Sequence, residues 1–288
     1  MVATTDKQET VQRSPLDSLS TLPWWALVIG AAGLFFIYII VSDANYRETF
    51  IFLMWGVVTT LRITLLAFPI AIIIGLLTGL ARLSNNKIIF TIATIYVEVI
   101  RGIPIVVLIL MIAFALVPAF VELVNTIGEW GLGWAQSGMT FDLFTSLAEF
   151  SIRNIPMELR AVIALAIAYG AFEAEVFRAG IQSISKGQME AARSLGMGYL
   201  QAMRHIILPQ AIRRVLPPLG NDFIALLKDS SLATVLAVAE LTQLGRLRRS
   251  STFRVMETFN VVAFLYLSMT LLLSAGVRVL ERRMKIVD

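Results

Sequence analysis

The sequence predicts an all-α integral membrane protein with about six transmembrane helices and a cytoplasmic loop that carries two short helices. Hydrophobic residues make up 57% of the 288 residues and charged residues 15%, whereas a soluble domain averages about 45–50% apolar and about 25% charged residues. Four uncharged stretches each approach or exceed the roughly 18 residues that a helix needs to cross the hydrocarbon core. They are residues 24–41, 63–81, 102–121 and 258–277.

Two further apolar stretches, residues 161–184 and 215–241, carry charged residues inside them and complete the six predicted crossings. The first crossing, 24–41, could be a cleaved signal peptide. It follows a polar segment, however, and runs into Val41-Ser42-Asp43 without a small-x-small cleavage site. We therefore expect it to remain as a membrane anchor.

The distribution of charge predicts the orientation of the chain. Its net charge is +4, but the basic residues lie beside hydrophobic segments, which indicates membrane topology and not a nucleic-acid partner. With both termini in the cytoplasm, most of the 24 Lys and Arg residues face that side, as the positive-inside rule requires. The sequence has no cysteine and a single histidine, so neither a disulfide nor a metal site is predicted.

The order of apolar and polar segments divides the chain into three parts. Residues 1–23 form a cytoplasmic N-terminal tail, and residues 24–50 an extra transmembrane helix with a short external loop. Residues 51–288 form a five-helix core with an external excursion at 118–160 and a cytoplasmic loop at 184–209. The run from Ile88 to Pro118 is longer than one crossing requires, so part of it is expected to lie along the inner interface before Pro104 starts the true crossing.

The 184–209 loop is the most informative segment. Ser185 and Gln188 have capping-box spacing, so a helix is predicted to begin there with Glu190 near its positive end. Gly196 is a natural helix stop. A second helical stretch, 199–207, then runs to Leu208-Pro209.

This loop resembles the EAA loop of ABC importer permeases. The matching pattern is Glu190-Ala191-Ala192, three residues, Gly196, nine residues, and then Ile206-x-Leu208-Pro209. Segments 98–104, 175–180 and 228–232 are similar to the polar amino acid branch of that family, and the likeness covers about residues 51–285. It implies a type I importer whose loop docks on the ATPase. The residues implied for coupling are Gly187, Glu190, Ala191, Ala192, Gly196, Leu208 and Pro209.

The resemblance also implies partners. They are an ATP-binding subunit dimer, a second permease subunit, an external solute-binding protein, an amino acid substrate and the lipid bilayer of the bacterial cytoplasmic (inner) membrane. We expect the second permease to be a relative, although an identical copy is possible. The sequence contains no G-x-x-x-x-G-K-[ST] loop, so ATP and Mg²⁺ are expected to bind the partner ATPase. Neither a cofactor nor a catalytic residue is predicted here.

Polar residues near the ends of two crossings are candidates for the solute pathway, because charges in apolar segments are costly and usually face a cavity or a partner. Both charge signs beside two hydroxyl groups suit a zwitterionic solute. A structural ion pair between Lys228 and Asp229 is an equally open interpretation. The candidate pathway residues are Glu175, Lys228, Asp229, Ser230 and Ser231.

Two other classes of protein remain as alternatives. A secondary transporter of small polar solutes could use the same charges as a proton relay. An intramembrane hydrolase would need an acid or metal dyad at membrane depth, for which Glu173, Glu175 and Asp222 are the plausible acids. Co-purification of an ATPase would separate the importer from both alternatives.

Overall fold

The computed structural model describes residues 24–134 and 139–284, and within those ranges the chain is helical and contains no strand. It divides into two compact units, Met1–Arg47 and Glu48–Asp288. The first unit contains helix α1 (Trp24–Ser42), and the second contains the helix bundle. The predicted tail 1–23 lies outside the described residues.

Helix α2 (Ala44–Ala81) follows α1 after a single intervening residue, Asp43. The Asp43 carboxylate accepts the N–H groups of Asn45 at 2.7 Å and Tyr46 at 3.2 Å, which satisfies donors that a helix start leaves free. A helix thus begins at Ala44, within the range where a short external loop was predicted before residue 51, because an N-capping aspartate starts it there.

Among the residues that the structure describes, three helical stretches are long and apolar enough to span a membrane: Ala44–Ala81, Ile105–Leu132 and Val255–Leu280. They correspond to three of the four uncharged crossings, and the shorter apolar α1 corresponds to the fourth. The third stretch belongs to the last helix, α12 (Val255–Met284), and α11 (Leu241–Thr252) precedes it.

The two charged crossings also form helices, α7 (Met157–Gln182) and α10 (Leu208–Asp229). The α-helix of the fifth crossing is shorter than the predicted range 215–241. It ends at Asp229, continues as a 3₁₀ helix over Ser230–Leu236, and stops where Ala237 takes a left-handed backbone conformation.

The chain breaks between α3 (Lys87–Gly102) and α4 (Ile105–Met111), where Pro104 caps the second helix as the sequence indicates. Beyond α4, a π-helical turn (Ile112–Leu116) leads into α5 (Val117–Leu132). The helix therefore passes Pro118, which was expected to begin the excursion. Proline fits there because it lies in the first turn of α5, where its missing N–H costs little. The excursion is a hairpin of α5 and α6 (Met139–Ala148), followed by a 3₁₀ turn (Ile152–Asn154).

Arg160 connects this excursion to the bundle at the start of α7. Its guanidinium is buried and donates to the carbonyl oxygens of Ile155 at 2.8 Å, Ala113 at 3.1 Å and Ile152 at 3.0 Å. Ala113 belongs to the π-helical turn, where altered hydrogen bonding makes carbonyl groups available. Three carbonyl acceptors thus offset the desolvation of a buried cation.

Helix α7 is the centre of the bundle and is buried along most of its length. It packs against α2, and the two helices cross where Gly75 meets Glu173 and Ala174. Small residues allow such close approach, which stabilises helix pairs in lipid through packing. A Cβ atom on Gly75 would lie 2.3 Å from the Cβ of Glu173.

We expect Gly75→Ala to push α2 away from α7 and to cost about 1–3 kcal/mol of stability, the range for overpacking a close contact. Gly102→Ala is the matched control, because nothing lies within 4 Å of its added Cβ. The thermal midpoint of each variant in detergent would measure the difference. Equal midpoints would contradict a tight crossing at Gly75.

Candidate coupling loop and solute pathway

The 184–209 loop begins with helix α8 (Lys186–Ser194), whose first N–H groups are capped by Ser185. The Ser185 hydroxyl accepts the N–H of Gly187 at 3.3 Å. Gly196 ends the helix in a left-handed conformation with φ 83°. The N–H of Gly196 donates to Arg193 at 2.9 Å and that of Met197 to Ala192 at 3.1 Å, which is the Schellman pattern. The predicted helix start and the stop at Gly196 are both confirmed.

The second part of the loop differs from the prediction. Helix α9 (Tyr199–Ala202) passes through a π-helical turn (Met203–Ile207) directly into α10, so Leu208-Pro209 does not end a helix. Pro209 lacks an N–H, and the widened turn before it accommodates the missing hydrogen bond. The side chain of the next residue, Gln210, donates to the Ile206 carbonyl at 2.9 Å.

The loop has one buried side and one exposed side. Ile184 and Ile207 pack with Ala211 in a small apolar cluster, and Arg214 of α10 donates to the Ser183 carbonyl at 2.6 Å. Among the seven residues implied for coupling, Ala192 is buried. The others are exposed, and they are Gly187, Glu190, Ala191, Gly196, Leu208 and Pro209.

Sequence reasoning missed an apolar patch beside these exposed residues, formed by Leu195, Tyr199 and Leu200. Leu195 is 82% exposed and Leu200 80% exposed. The sequence could have indicated this patch, because its residues lie on both sides of Gly196, where the helix ends and the chain turns outward. Large apolar side chains exposed on a polar loop are typical of a protein contact surface.

Glu175 lies at the centre of an arginine cluster, and the structure does not bring it together with the other pathway candidates. Its carboxylate accepts hydrogen bonds from Arg82 and, at 2.7 and 2.9 Å, from Arg178. Arg101 lies 3.5 Å away, and its guanidinium stacks 5.6 Å above the Phe172 ring. Because Arg82 follows α2 and Arg101 belongs to α3, this carboxylate joins three helices.

Residues 228–231 form a second group at the end of α10. Tyr169 of α7 donates to the Asp229 carboxylate at 2.9 Å, a contact that the sequence did not indicate. Ser230 is buried and its hydroxyl donates to the Leu227 carbonyl at 2.7 Å, whereas Ser231 is partly exposed. Lys228 is exposed, and no ion pair joins it to Asp229 although the structure describes both side chains.

Within the described residues the chain is an all-helical bundle with a capped loop at 184–209, as the resemblance to ABC importer permeases predicts. The family of binding-protein-dependent transport system inner membrane components matches residues 67–286, and the chain belongs to this family.

Curated relatives cover most of the chain. It is 40% identical over 231 residues to the glutamine transport system permease protein GlnP of Escherichia coli (strain K12). The alignment covers 80% of this chain and 92% of GlnP. It is 34% identical over 267 residues to the L-cystine transport system permease protein TcyB of Bacillus subtilis (strain 168), across 92% of this chain and 97% of TcyB.

Solved structures share the fold. A chain from the crystal structure of an amino acid ABC transporter with histidines is 37% identical, with a TM-score of 0.65 over 85% of this chain and 98% of that one. A chain of the inward-facing MetNI methionine ABC transporter, 19% identical, matches in fold with a TM-score of 0.61, over 82% of this chain and 97% of that one.

Membership of this family defines the class of protein to which the chain belongs. It is a membrane-embedded transport subunit of an ABC importer and not an enzyme, which sets aside the secondary carrier and the intramembrane hydrolase. Permeases of this family work with an ATP-binding subunit and a solute-binding protein.

Proposed function

We propose that the chain carries polar amino acids inward across the bacterial cytoplasmic membrane. The observation that supports this most directly is the likeness, at 40% identity, to a glutamine transport permease together with the amino acid transporter fold. The arrangement of charged side chains at Lys228 and Asp229 suits zwitterionic solutes, because it offers a donor for the carboxylate and an acceptor for the ammonium.

Energy for transport comes from a partner. The exposed side of the 184–209 loop, with Glu190 and the patch of Leu195, Tyr199 and Leu200, would dock on an ATP-binding subunit dimer that holds ATP and Mg²⁺. A second permease subunit, which we take to be a relative of this chain, would complete the pathway. A solute-binding protein would deliver the amino acid from outside.

Co-purification and uptake together test this function. The chain expressed with its ATPase, second permease and solute-binding protein should purify as one complex. In liposomes that complex should import an amino acid only when ATP is present on the ATPase side. Uptake that persists without ATP would contradict the proposal.

The orientation is tested with single cysteines, because the chain has no native cysteine. An impermeant thiol reagent added outside should label cysteines at Ser42, Met139 and Arg249, and should leave Gly187→Cys unlabelled. Cysteines at Gln8 and Lys285, which lie outside the described residues, should also be protected. External labelling of Gly187→Cys would show that the orientation of the chain is the opposite of the proposed one.

A further inference from the structure

Glu173 is a completely buried carboxyl group in α7 that has no hydrogen-bond partner among the residues the structure describes. Its side chain has 0% exposure, and neither carboxylate oxygen has a hydrogen-bond partner. Asp222 of α10 is the acid within electrostatic range of it. Asp222 is half-buried, and no hydrogen bond or ion pair involves its side chain within the described part of the bundle.

A third carboxyl group extends this arrangement. The Tyr169 hydroxyl interacts electrostatically with Glu173, Asp222 and Asp229 and donates to the last of them. We refer to Glu173, Asp222 and Asp229 as the carboxyl cluster. No ion pair joins a described lysine or arginine to its members, and the guanidinium groups of Arg101 and Arg178 pair with Glu175.

The cluster is unfavourable in its ionised form unless something positive enters it. Burying an ionised carboxylate without a partner costs several kcal/mol, and a second carboxyl nearby adds repulsion. Ionisable residues inside membrane helices are therefore rare and usually mark the path of a solute or ion. The described residues contain no group of acidic, histidine or cysteine side chains with the geometry to hold a metal ion.

We propose that Glu173, with Asp222 beside it, forms the subsite that receives the positive group of the transported solute. The inference rests on the proposed function, amino acid import, and states what that import recognises. A solute with two positive groups satisfies more of the cluster than a solute with one. The permease itself should therefore prefer arginine to glutamine, and glutamine to N-acetylglutamine, whose amine carries no charge.

The test measures binding to the permease without the binding protein, which would otherwise impose its own selectivity. The complex with its ATPase is placed in nanodiscs without nucleotide, and its affinities for radiolabelled arginine, glutamine and N-acetylglutamine are compared. We expect the order arginine, glutamine, N-acetylglutamine. Glu173→Gln should weaken binding of arginine and glutamine at least roughly tenfold, equivalent to about 1.4 kcal/mol, and should abolish the preference for arginine.

Two further variants make the result decisive. Asp222→Asn changes a half-buried member of the same subsite. Like Glu173→Gln, it should reduce the preference for arginine. Glu122→Gln removes an exposed carboxyl on the α5 and α6 hairpin and should leave all three affinities unchanged. Glutamine has nearly the volume of glutamate, so assembly with the ATPase should survive in each case.

Equal affinities for the three compounds, an absence of measurable binding, or an unchanged order in Glu173→Gln would overturn the inference. Uptake by the wild-type complex with its binding protein is measured in parallel. If amino acid uptake is normal and any of those results is obtained, the proposed function still holds and only the proposed subsite is contradicted. A complete lack of amino acid uptake would contradict the proposed function, and the inference with it.

Discussion

Gly196→Pro and Glu190→Lys should each leave a chain that inserts into the membrane and imports nothing. Gly196 adopts φ 83°, whereas proline fixes φ near −65° and lacks the N–H that Gly196 donates to Arg193. Glu190 is exposed in the middle of α8, outside its first turn, so its reversal to lysine changes the interaction with the helix dipole by less than about 0.3–1 kcal/mol. That amount is too small to unfold the bundle, so the loss should appear where the loop meets the ATPase.

The measurement is uptake into liposomes together with retention of the ATPase during purification. We expect uptake to fall at least roughly tenfold, and either ATPase retention or its stimulation by the loaded binding protein to be lost. Gly196→Ala should be partly defective, because a left-handed conformation costs a residue with a Cβ about 1–2 kcal/mol. Gly198→Ala is the matched control, since Gly198 has φ −65° and its added Cβ meets nothing closer than 3.6 Å. Normal uptake in both original variants would show that this loop does not transmit the ATPase signal.

Lys228→Met should reduce amino acid uptake by roughly ten- to a hundredfold, about 1.4–2.8 kcal/mol, while complex assembly and basal ATPase activity persist. The side chain is exposed and is not held by Asp229, so it remains free to pair with a solute carboxylate. Methionine keeps the length and apolar stem of lysine but removes the charge. A carboxylate that crosses without that donor would remain unpaired in a low-dielectric region.

The double variant Lys228→Met with Asp229→Leu tests the pathway role of both residues. It also breaks the hydrogen bond from Tyr169, so Tyr169→Phe alone serves as the control for that loss. If the double variant imports at the wild-type rate in the reconstituted complex, Lys228 and Asp229 have only structural roles.

Local chemistry explains which features the sequence predicts well. The stop at Gly196 follows from the left-handed conformation that glycine adopts without cost, and the break at Pro104 follows from its fixed φ and missing N–H. The helix continues through Pro118 and Pro209 because each lies where a helix tolerates a missing N–H. Such tolerance depends on the neighbouring turn, which a residue pattern does not reveal.

The site was harder to predict, because its contacts join distant parts of the chain. Glu175 was singled out for its charge in an apolar stretch. Its partners Arg82 and Arg101 come from two other helices, and the packing of α2, α3 and α7 brings them together. Tyr169 was missed altogether, because a tyrosine in an apolar helix has no pattern that distinguishes a hydrogen-bond donor from a packing residue.

The unbroken passage from α9 through the π-helical turn into α10 has a mechanical consequence. Tyr199 at one end lies in the exposed loop patch, and Asp229 at the other end holds Tyr169. At 1.5 Å per residue this segment is about 45 Å long, and it contains a π-helical turn and the prolines Pro217 and Pro218, each of which is a place where a helix can bend. A displacement imposed at the loop end can therefore be taken up at these bends before it reaches Lys228.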